Sequence, residues 1–165
     1  MQIVAASAAD ANTFAELNRH VHSIHLENAP SFFREPTLEE AAEAFRMLLS
    51  KEDARAYLAL LDDEAVGYLL LFLRDREAHA FCPARRFLYV EQISVEPAWQ
   101  GHGVGRALMD AALQFAVESG IDDIETDTWA FNSQAQTFFQ ATGFASKTYR
   151  YQMKLSSKKN STDDF

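Results

Sequence analysis

The spacing of apolar residues along the chain predicts four helices. Residues 9–26 carry apolar side chains at spacings of three and four, which is typical of an amphipathic helix, and Asp10 is a suitable N-cap for it. Thr37 and Glu40 form a capping-box pattern, which predicts a second helix from that threonine to about Leu49. Two further helices, each followed by a glycine suited to a left-handed cap, are predicted over residues 104–119 and 133–142.

Runs of leucine, β-branched and aromatic residues predict the strands between these helices. Residues 56–61 and 65–73 are two apolar runs separated by three acidic residues, which is a hairpin pattern. A charged connection over residues 74–86 leads to a third apolar run over residues 87–95, which we predict to be the central strand. The remaining strands are predicted at residues 1–6, at residues 123–129, and once or twice within residues 144–155. This order of elements predicts a mixed α/β fold.

Composition limits the classes of function. The chain has 165 residues, of which 48% are hydrophobic, and this predicts one domain over residues 1–155, followed by a polar tail over residues 156–165. A formal net charge of −9 argues against partners such as nucleic acid and anionic membrane surfaces. Cys82 is the only cysteine, so no intrachain disulfide can form, and there is neither a signal-peptide pattern nor an apolar run of membrane-spanning length. We therefore predict a cytoplasmic protein.

A glycine-rich segment between the central strand and the third helix is the clearest chemical signal. It reads Gln100-Gly-His-Gly-Val-Gly-Arg106, and a glycine-rich turn that opens a helix offers unhindered N–H groups and a partial positive charge to a phosphate. A P-loop would require Lys and then Ser or Thr after the last glycine, but Arg106 and Ala107 stand there. A dinucleotide fingerprint would require its third glycine at position 106. The pattern Gln-x-x-Gly-x-Gly remains, and it resembles the coenzyme A loop of the GCN5-related N-acetyltransferase (GNAT) superfamily.

A second segment strengthens this resemblance. Asn132, a short helix, and then Gly143-Phe144 resemble the second signature of that superfamily, in the expected order and at the expected separation. The resemblance implies a mostly antiparallel sheet of six to seven strands flanked by four helices, in which two parallel strands splay apart to hold acetyl-CoA. It also implies transfer of an acetyl group to a primary amine by direct attack in a ternary complex, and it is compatible with a homodimer.

The resemblance assigns coenzyme contacts to three parts of the chain. The backbone around Ile93, Ser94 and Val95 would bind the pantetheine arm, and the N–H of Ile93 would also polarise the thioester carbonyl. Asn132 and Phe139 would contact the coenzyme from the fourth helix. The pyrophosphate would be bound by the glycine loop, which comprises Gln100, Gly101, His102, Gly103, Val104, Gly105 and Arg106.

Positions 91 and 139 are where the resemblance places a general base and a general acid. Glu91 interrupts an apolar strand, where a carboxylate is costly unless it is partnered or solvated through a cleft, and members of the superfamily often use a Glu here as the general base. A structural carboxylate bonded to a neighbouring strand is the alternative. Phe139 stands where many members have a tyrosine that protonates the departing thiolate, so either solvent or a distant hydroxyl such as Tyr149 or Tyr151 would serve.

The acceptor is assigned less precisely. The first two helices and their connection cover the acceptor side in this fold, so the lining of that pocket is predicted to include His22, His25, Phe32, Phe33 and Trp129. His22 and His25 lie three residues apart, a spacing compatible with a metal, but no third or fourth ligand is evident and we predict none. The acceptor is predicted to be a small-molecule or peptide amine. A protein N-terminus or lysine as acceptor, and a non-catalytic acetyl-CoA sensor, are the alternatives that the sequence leaves open.

Overall fold

The computed structural model describes residues 1–155, so the predicted tail over residues 156–165 lies outside the described residues. A five-stranded sheet has the order β1-β2-β3-β4-β5. Neighbouring strands are antiparallel except β4 and β5, which are parallel. The strands are β1 Gln2–Ala5, β2 Ala54–Leu61, β3 Glu64–Arg76, β4 Arg85–Val95 and β5 Ile124–Thr126.

Within residues 1–155, four α-helices cover the two faces of this sheet. They are α1 Ala11–Asn28, α2 Leu38–Leu49, α3 Val104–Glu118 and α4 Ser133–Ala141. On one face, α1 and α2 bury Phe14 and Phe45 against Tyr68 of β3. On the other face, α3 and α4 bury Leu108 and Phe139 against the same sheet. Because helices cover both faces, β3 is buried over most of its length and its sequence is a continuous apolar run rather than an alternating one.

Local signals predicted most of the element ends. Thr37 and Glu40 form the expected capping box at the start of α2, and Gly120 and Gly143 adopt left-handed backbone after α3 and α4. Asp10 precedes α1 but makes no side-chain cap there, because its carboxylate is bonded to Ser7 at a short 3-10 turn over Ala8–Asp10. The β2–β3 hairpin forms as predicted, with its two turn residues at positive φ.

The predicted strands beyond α4 do not form within the described residues. The prediction of six to seven strands is therefore wrong, although the mixed α/β architecture with one parallel pair is confirmed. Residues 144–155 alternate in the manner of a strand, but Tyr149, Tyr151 and Met153 are 77%, 89% and 83% exposed. A strand requires a neighbour that accepts its backbone hydrogen bonds, and β5 has only three residues to offer.

Candidate functional site

The parallel strands β4 and β5 separate shortly after they meet. Their register runs from Leu88–Ile124 to Val90–Thr126, and the Thr126 hydroxyl donates a hydrogen bond of 3.1 Å to the carbonyl oxygen of Val90. Residues 92–95 of β4 then pair with β3 alone. We call the gap beyond the last β4–β5 pair the strand opening. It leaves one edge of β4 with backbone groups available to a ligand.

An irregularity in β4 determines which backbone groups face this opening. Leu71 pairs with Val90 and Leu70 with Gln92, so Glu91 is an extra residue, as in a β-bulge. Before the bulge, the N–H of Leu88 donates towards β5, to the carbonyl of Asp123; after it, the N–H of Glu96 donates towards β3, to the carbonyl of Val66. Since backbone groups alternate along a strand, the N–H groups of Ile93 and Val95 face the opening.

The glycine loop connects the end of β4 to α3 and exposes unpaired donors. None of the N–H groups of residues 101–106 has an acceptor within residues 1–155. Gly101 and Gly103 have φ values of 76° and 85°, a left-handed conformation that favours glycine. A Cβ added at either position would meet no heavy atom within 4 Å, so the space beside the donors is open. These free donors at a helix N-terminus suit a pyrophosphate.

The rest of the loop is held by contacts within the protein. A Cβ at Gly105 would lie 3.0 Å from the ring of Phe138, so this glycine allows α3 and α4 to pack closely. Arg106 donates to the carbonyl oxygen of Ala141 at the end of α4, at 2.9 Å. Gln100 donates to the carbonyl oxygen of Val95 at 2.9 Å and accepts from Gln134. The side chains of Gln100 and Arg106 therefore stabilise the loop, and their contact with a phosphate stays a prediction.

The side chains of the other residues assigned to the coenzyme make contacts within the protein. Ser94 is buried and donates to the carbonyl oxygen of Leu17, which attaches α1 to β4. Asn132 caps α4 by accepting from the N–H of Ala135 at 3.0 Å. Phe139 is only 7% exposed and packs between Phe138 and Phe144 in the core. Val104 is buried in the same core, whereas His102 lies on the surface with its ring nitrogen 2.8 Å from the carbonyl oxygen of Gln100.

Glu91 and three neighbouring polar side chains lie close to the opening. Glu91 is exposed, and its carboxylate is 3.9 Å from the guanidinium of Arg74 on β3. The Tyr89 hydroxyl donates a hydrogen bond of 2.9 Å to Asp127, the first residue after β5. Burial, followed by this hydrogen bond and the charges of Asp127 and Glu91, raises the pKa of Tyr89 to about 12. The phenol therefore stays protonated near neutral pH and remains a donor.

The predicted acceptor-pocket residues come together in one group. The ring of Phe33 stacks on His25 at 5.1 Å and lies 6.0 Å from His22, and Trp129 lies 5.4 Å from both Phe32 and Phe33. Phe131 joins them, stacked on Trp129 at 5.5 Å. We call this group the aromatic cluster; its members are His22, His25, Phe32, Phe33, Trp129 and Phe131.

Two further features belong to the same side of the molecule. Burial lowers the pKa of His25, and the neighbouring His22 lowers it further. The Nε2 of His22 lies 2.8 Å from the carbonyl oxygen of Arg34, so it helps hold the α1–α2 connection. A cavity of about 690 Å³ lies between α1, the start of α2 and the end of β4, and of the aromatic cluster it shares only His22.

Most of the chain, including both signature segments, matches a known protein family. A model of the acetyltransferase (GNAT) family matches residues 19–144, which is more than half of the chain. The chain belongs to the GNAT family. The match includes the strand opening, the glycine loop, the Asn132 helix and the whole aromatic cluster.

Individual GNAT relatives cover different parts of the chain. Aminoglycoside N(6')-acetyltransferase type 1 of Stenotrophomonas maltophilia is 31% identical over 83 residues, which are 50% of this chain and 54% of that protein. The chain thus matches about half the length of that curated relative.

Solved structures match over nearly the whole chain. A tetramutant of the BH1408 protein from Bacillus halodurans has a TM-score of 0.88 at 22% identity, covering 94% of this chain and 100% of that one. Aminoglycoside N-acetyltransferase AAC(6')-Iy, in complex with CoA, has a TM-score of 0.70 at 19% identity, covering 94% of each chain. At these identities the likeness shows the GNAT fold.

Sequence reasoning missed three residues that contact the candidate site or the segment beside it. Phe131 had a weak signal, since it follows Trp129 at a spacing of two. Tyr89 and Asp127 had none, because they are 38 residues apart and meet only through the β4–β5 pair. Across residues 1–155 there is no group of three or more His, Cys, Asp or Glu placed to hold a metal. Over the same residues, no helix combines the length and the apolar character needed to span a membrane.

Proposed function

We propose that this GNAT protein transfers an acetyl group from acetyl-CoA to a primary amine of a small molecule or peptide. The observation that carries the proposal is the pairing of two features. Unpaired N–H groups and open left-handed glycines lie at the start of α3, and the strand opening lies along the last residues of β4, the strand that leads into this loop. One feature suits a pyrophosphate and the other suits an extended arm that bonds to backbone.

Acetyl transfer requires residues that bind acetyl-CoA and a residue that accepts a proton from the amine. Acetyl-CoA supplies the acetyl group as an activated thioester. The N–H groups of residues 101–106 would hold its pyrophosphate, and those of Ile93 and Val95 would bond its arm, with Ile93 also polarising the thioester carbonyl. Glu91 would take a proton from the acceptor ammonium, directly or through water, so that a neutral amine can attack the thioester carbonyl in a ternary complex. The C–N bond would form as the C–S bond breaks, and CoA would leave as a thiolate that receives, through solvent, the proton that the nitrogen loses. A water-exposed carboxylate at the edge of the opening is accessible for that role.

Two observations support a small, cationic acceptor. The aromatic cluster offers flat rings rather than a row of backbone groups, and the net charge of −9 attracts cations. Two of the three proteins named above are aminoglycoside acetyltransferases by name. An aminoglycoside is therefore a suitable first acceptor in a screen that also includes peptides with free N-termini or lysines.

A coenzyme sensor without catalysis is the second candidate. Phe139 favours it, because this side chain has no hydroxyl and is buried in the core. Release of free thiol with a panel of amines separates the two candidates. An acetyltransferase releases thiol only when an acceptor is present, whereas a sensor binds acetyl-CoA and releases none.

Calorimetric titration with acetyl-CoA tests the binding site itself. Gly103→Val should abolish binding, because the added side chain occupies the open space beside the free N–H groups. Gly120→Val is the matched control: Gly120 lies at the opposite end of α3, has a φ of 64° and is equally open, so it suffers the same kind of backbone strain. The proposal fails if folded Gly103→Val binds as the wild type does, or if both variants lose affinity equally.

A further inference from the structure

The segment that follows β5 carries part of the aromatic cluster. Trp129 lies in it and Phe131 follows two residues later, and the two rings stack at 5.5 Å. Trp129 meets Phe32 and Phe33 of the α1–α2 connection, so the segment bridges the two sides of the proposed acceptor pocket. Its residues form neither helix nor strand. Its position must therefore be set by particular contacts at its ends.

The contacts at the α4 end are clear. The side-chain amide of Gln136 donates to the carbonyl oxygens of Trp129 and Ala130 at 3.0 and 3.2 Å. The N–H of Asn132 donates to the same Trp129 carbonyl at 2.9 Å. This end of the segment is thereby attached to the first turn of α4.

At the β5 end, the side-chain contact is the hydrogen bond from Tyr89 to Asp127. Tyr89 is half-buried on β4, a strand fixed by pairing with β3, and it lies beside the last residues of β4 that pair with β5. Its hydroxyl therefore extends from a strand that is paired on both sides at this point to the first residue beyond β5. The raised pKa of the phenol keeps the donor proton in place near neutral pH.

We infer that Tyr89 and Asp127 are positioning residues, whose hydrogen bond holds Trp129 and Phe131 in place as one wall of the acceptor pocket. The inference rests on the proposed function in one respect, that the pocket binds an acceptor. The positioning of Trp129 and Phe131 by this hydrogen bond does not depend on it. Loss of the bond should let Trp129 move away from Phe32 and Phe33 while the glycine loop keeps its conformation.

A competing explanation gives Asp127 a direct role. As an exposed carboxylate it would bind the acceptor ammonium through its charge, and Tyr89 would be incidental. The substitution Asp127→Asn separates the two explanations. It removes the charge but keeps an oxygen that accepts a hydrogen bond from the Tyr89 hydroxyl. Asp127→Ala and Tyr89→Phe both remove the hydrogen bond.

The first experiment measures the position of Trp129 without any substrate. The chain has two tryptophans, so a Trp99→Phe background leaves Trp129 as the single fluorescent indole. Tyr89→Phe and Asp127→Ala in this background should shift its emission to the red and increase quenching by acrylamide, whereas Asp127→Asn should behave as the background does. Tyr57→Phe is the control, since it removes the hydroxyl of another half-buried strand tyrosine. Unchanged emission in both Tyr89→Phe and Asp127→Ala would overturn the inference.

The second experiment uses steady-state kinetics in the otherwise wild-type chain. Tyr89→Phe and Asp127→Ala should each raise the acceptor KM by about 3- to 10-fold, the range expected from one lost hydrogen bond, and leave acetyl-CoA affinity unchanged. The double variant should be no worse than either single variant, because both remove the same contact. Asp127→Asn should restore most of the acceptor KM.

The outcomes separate this inference from the proposed function. If no amine is acetylated by the wild type, the proposed function fails while the fluorescence result still decides the positioning role. If the wild type is active and Asp127→Asn raises the acceptor KM as much as Asp127→Ala, the charge acts directly and the positioning role is wrong. Tyr89→Phe removes a single oxygen atom, so it remains informative even if Asp127→Ala fails to fold.

Discussion

The proposed coenzyme side and the proposed acceptor side of this site are built in different ways. The coenzyme side comes from one continuous stretch, β4 and the glycine loop, and it offers mainly backbone N–H groups. The acceptor side is assembled from α1, the α1–α2 connection and the segment after β5, and it offers side-chain rings. A local motif can therefore specify the first side, whereas the second exists only once distant segments have packed together.

The contrast also appears in how each side tolerates substitution. Backbone donors do not depend on side-chain identity, so on the coenzyme side only the glycines and the bulge at Glu91 are constrained by geometry. On the acceptor side every ring is itself part of the surface. Changes on the coenzyme side should therefore act on all acceptors alike, and changes on the acceptor side should act on some acceptors more than others. The predictions below test this division, from the largest expected effect to the smallest.

Glu91 lies where the two sides meet, and its replacement should have the largest effect. Glu91→Gln should lower turnover by about 10²-fold for every acceptor and preserve acetyl-CoA affinity, because it removes the proton acceptor and leaves the backbone donors in place. Single-turnover kinetics and calorimetry measure the two quantities. Glu64→Gln, at the exposed start of β3, is the control for loss of one negative charge. Near-normal turnover would mean that Glu91 is a structural partner of Arg74.

Replacement of Gly105 tests whether this loop glycine is required for helix packing rather than for binding the coenzyme. Gly105→Val should destabilise the fold by about 3 kcal/mol, since its side chain would overlap the ring of Phe138. Thermal unfolding measures this loss. Gly105→Ala combined with Phe138→Leu should recover part of the stability that Gly105→Ala alone loses, because the smaller side chain makes room. If Gly105→Val unfolds like the wild type, this glycine has no packing role.

His25 should give the smallest effect, on the pH dependence of stability. Its pKa in the folded protein lies below the value of 6.5 expected in the unfolded chain, because burial disfavours the imidazolium. The unfolded state therefore binds the proton more readily in the window between the two values. The stability contribution is complete above pH 6.5 and declines as the pH falls through that window.

Urea unfolding at several pH values measures this dependence. His25→Gln should flatten the fall in stability on the acid side of neutrality. The control is His79→Gln, which removes an exposed imidazole elsewhere in the chain. Equal slopes in wild type and His25→Gln would show that His25 does not contribute to the pH dependence.

The sequence by itself determined the features that depend on neighbouring residues. The stripe of α1, the Thr37 capping box, the β2–β3 hairpin and the left-handed glycines after α3 and α4 all follow from local backbone preferences, and all are present. The two signature segments likewise indicated the GNAT family, which the family model confirms. The roles assigned to Ile93, Val95 and Glu91 remain predictions.

Only the tertiary structure decided the rest, because those features join residues far apart in the chain. The bulge at Glu91 arises from pairing with β3, and it turns the N–H groups of Ile93 and Val95 towards the opening. Phe139 has the same local sequence whether it meets a ligand or the core, and packing places it in the core. Residues 144–155 have the alternation of a strand and form none, since alternation describes one strand and a sheet requires a partner.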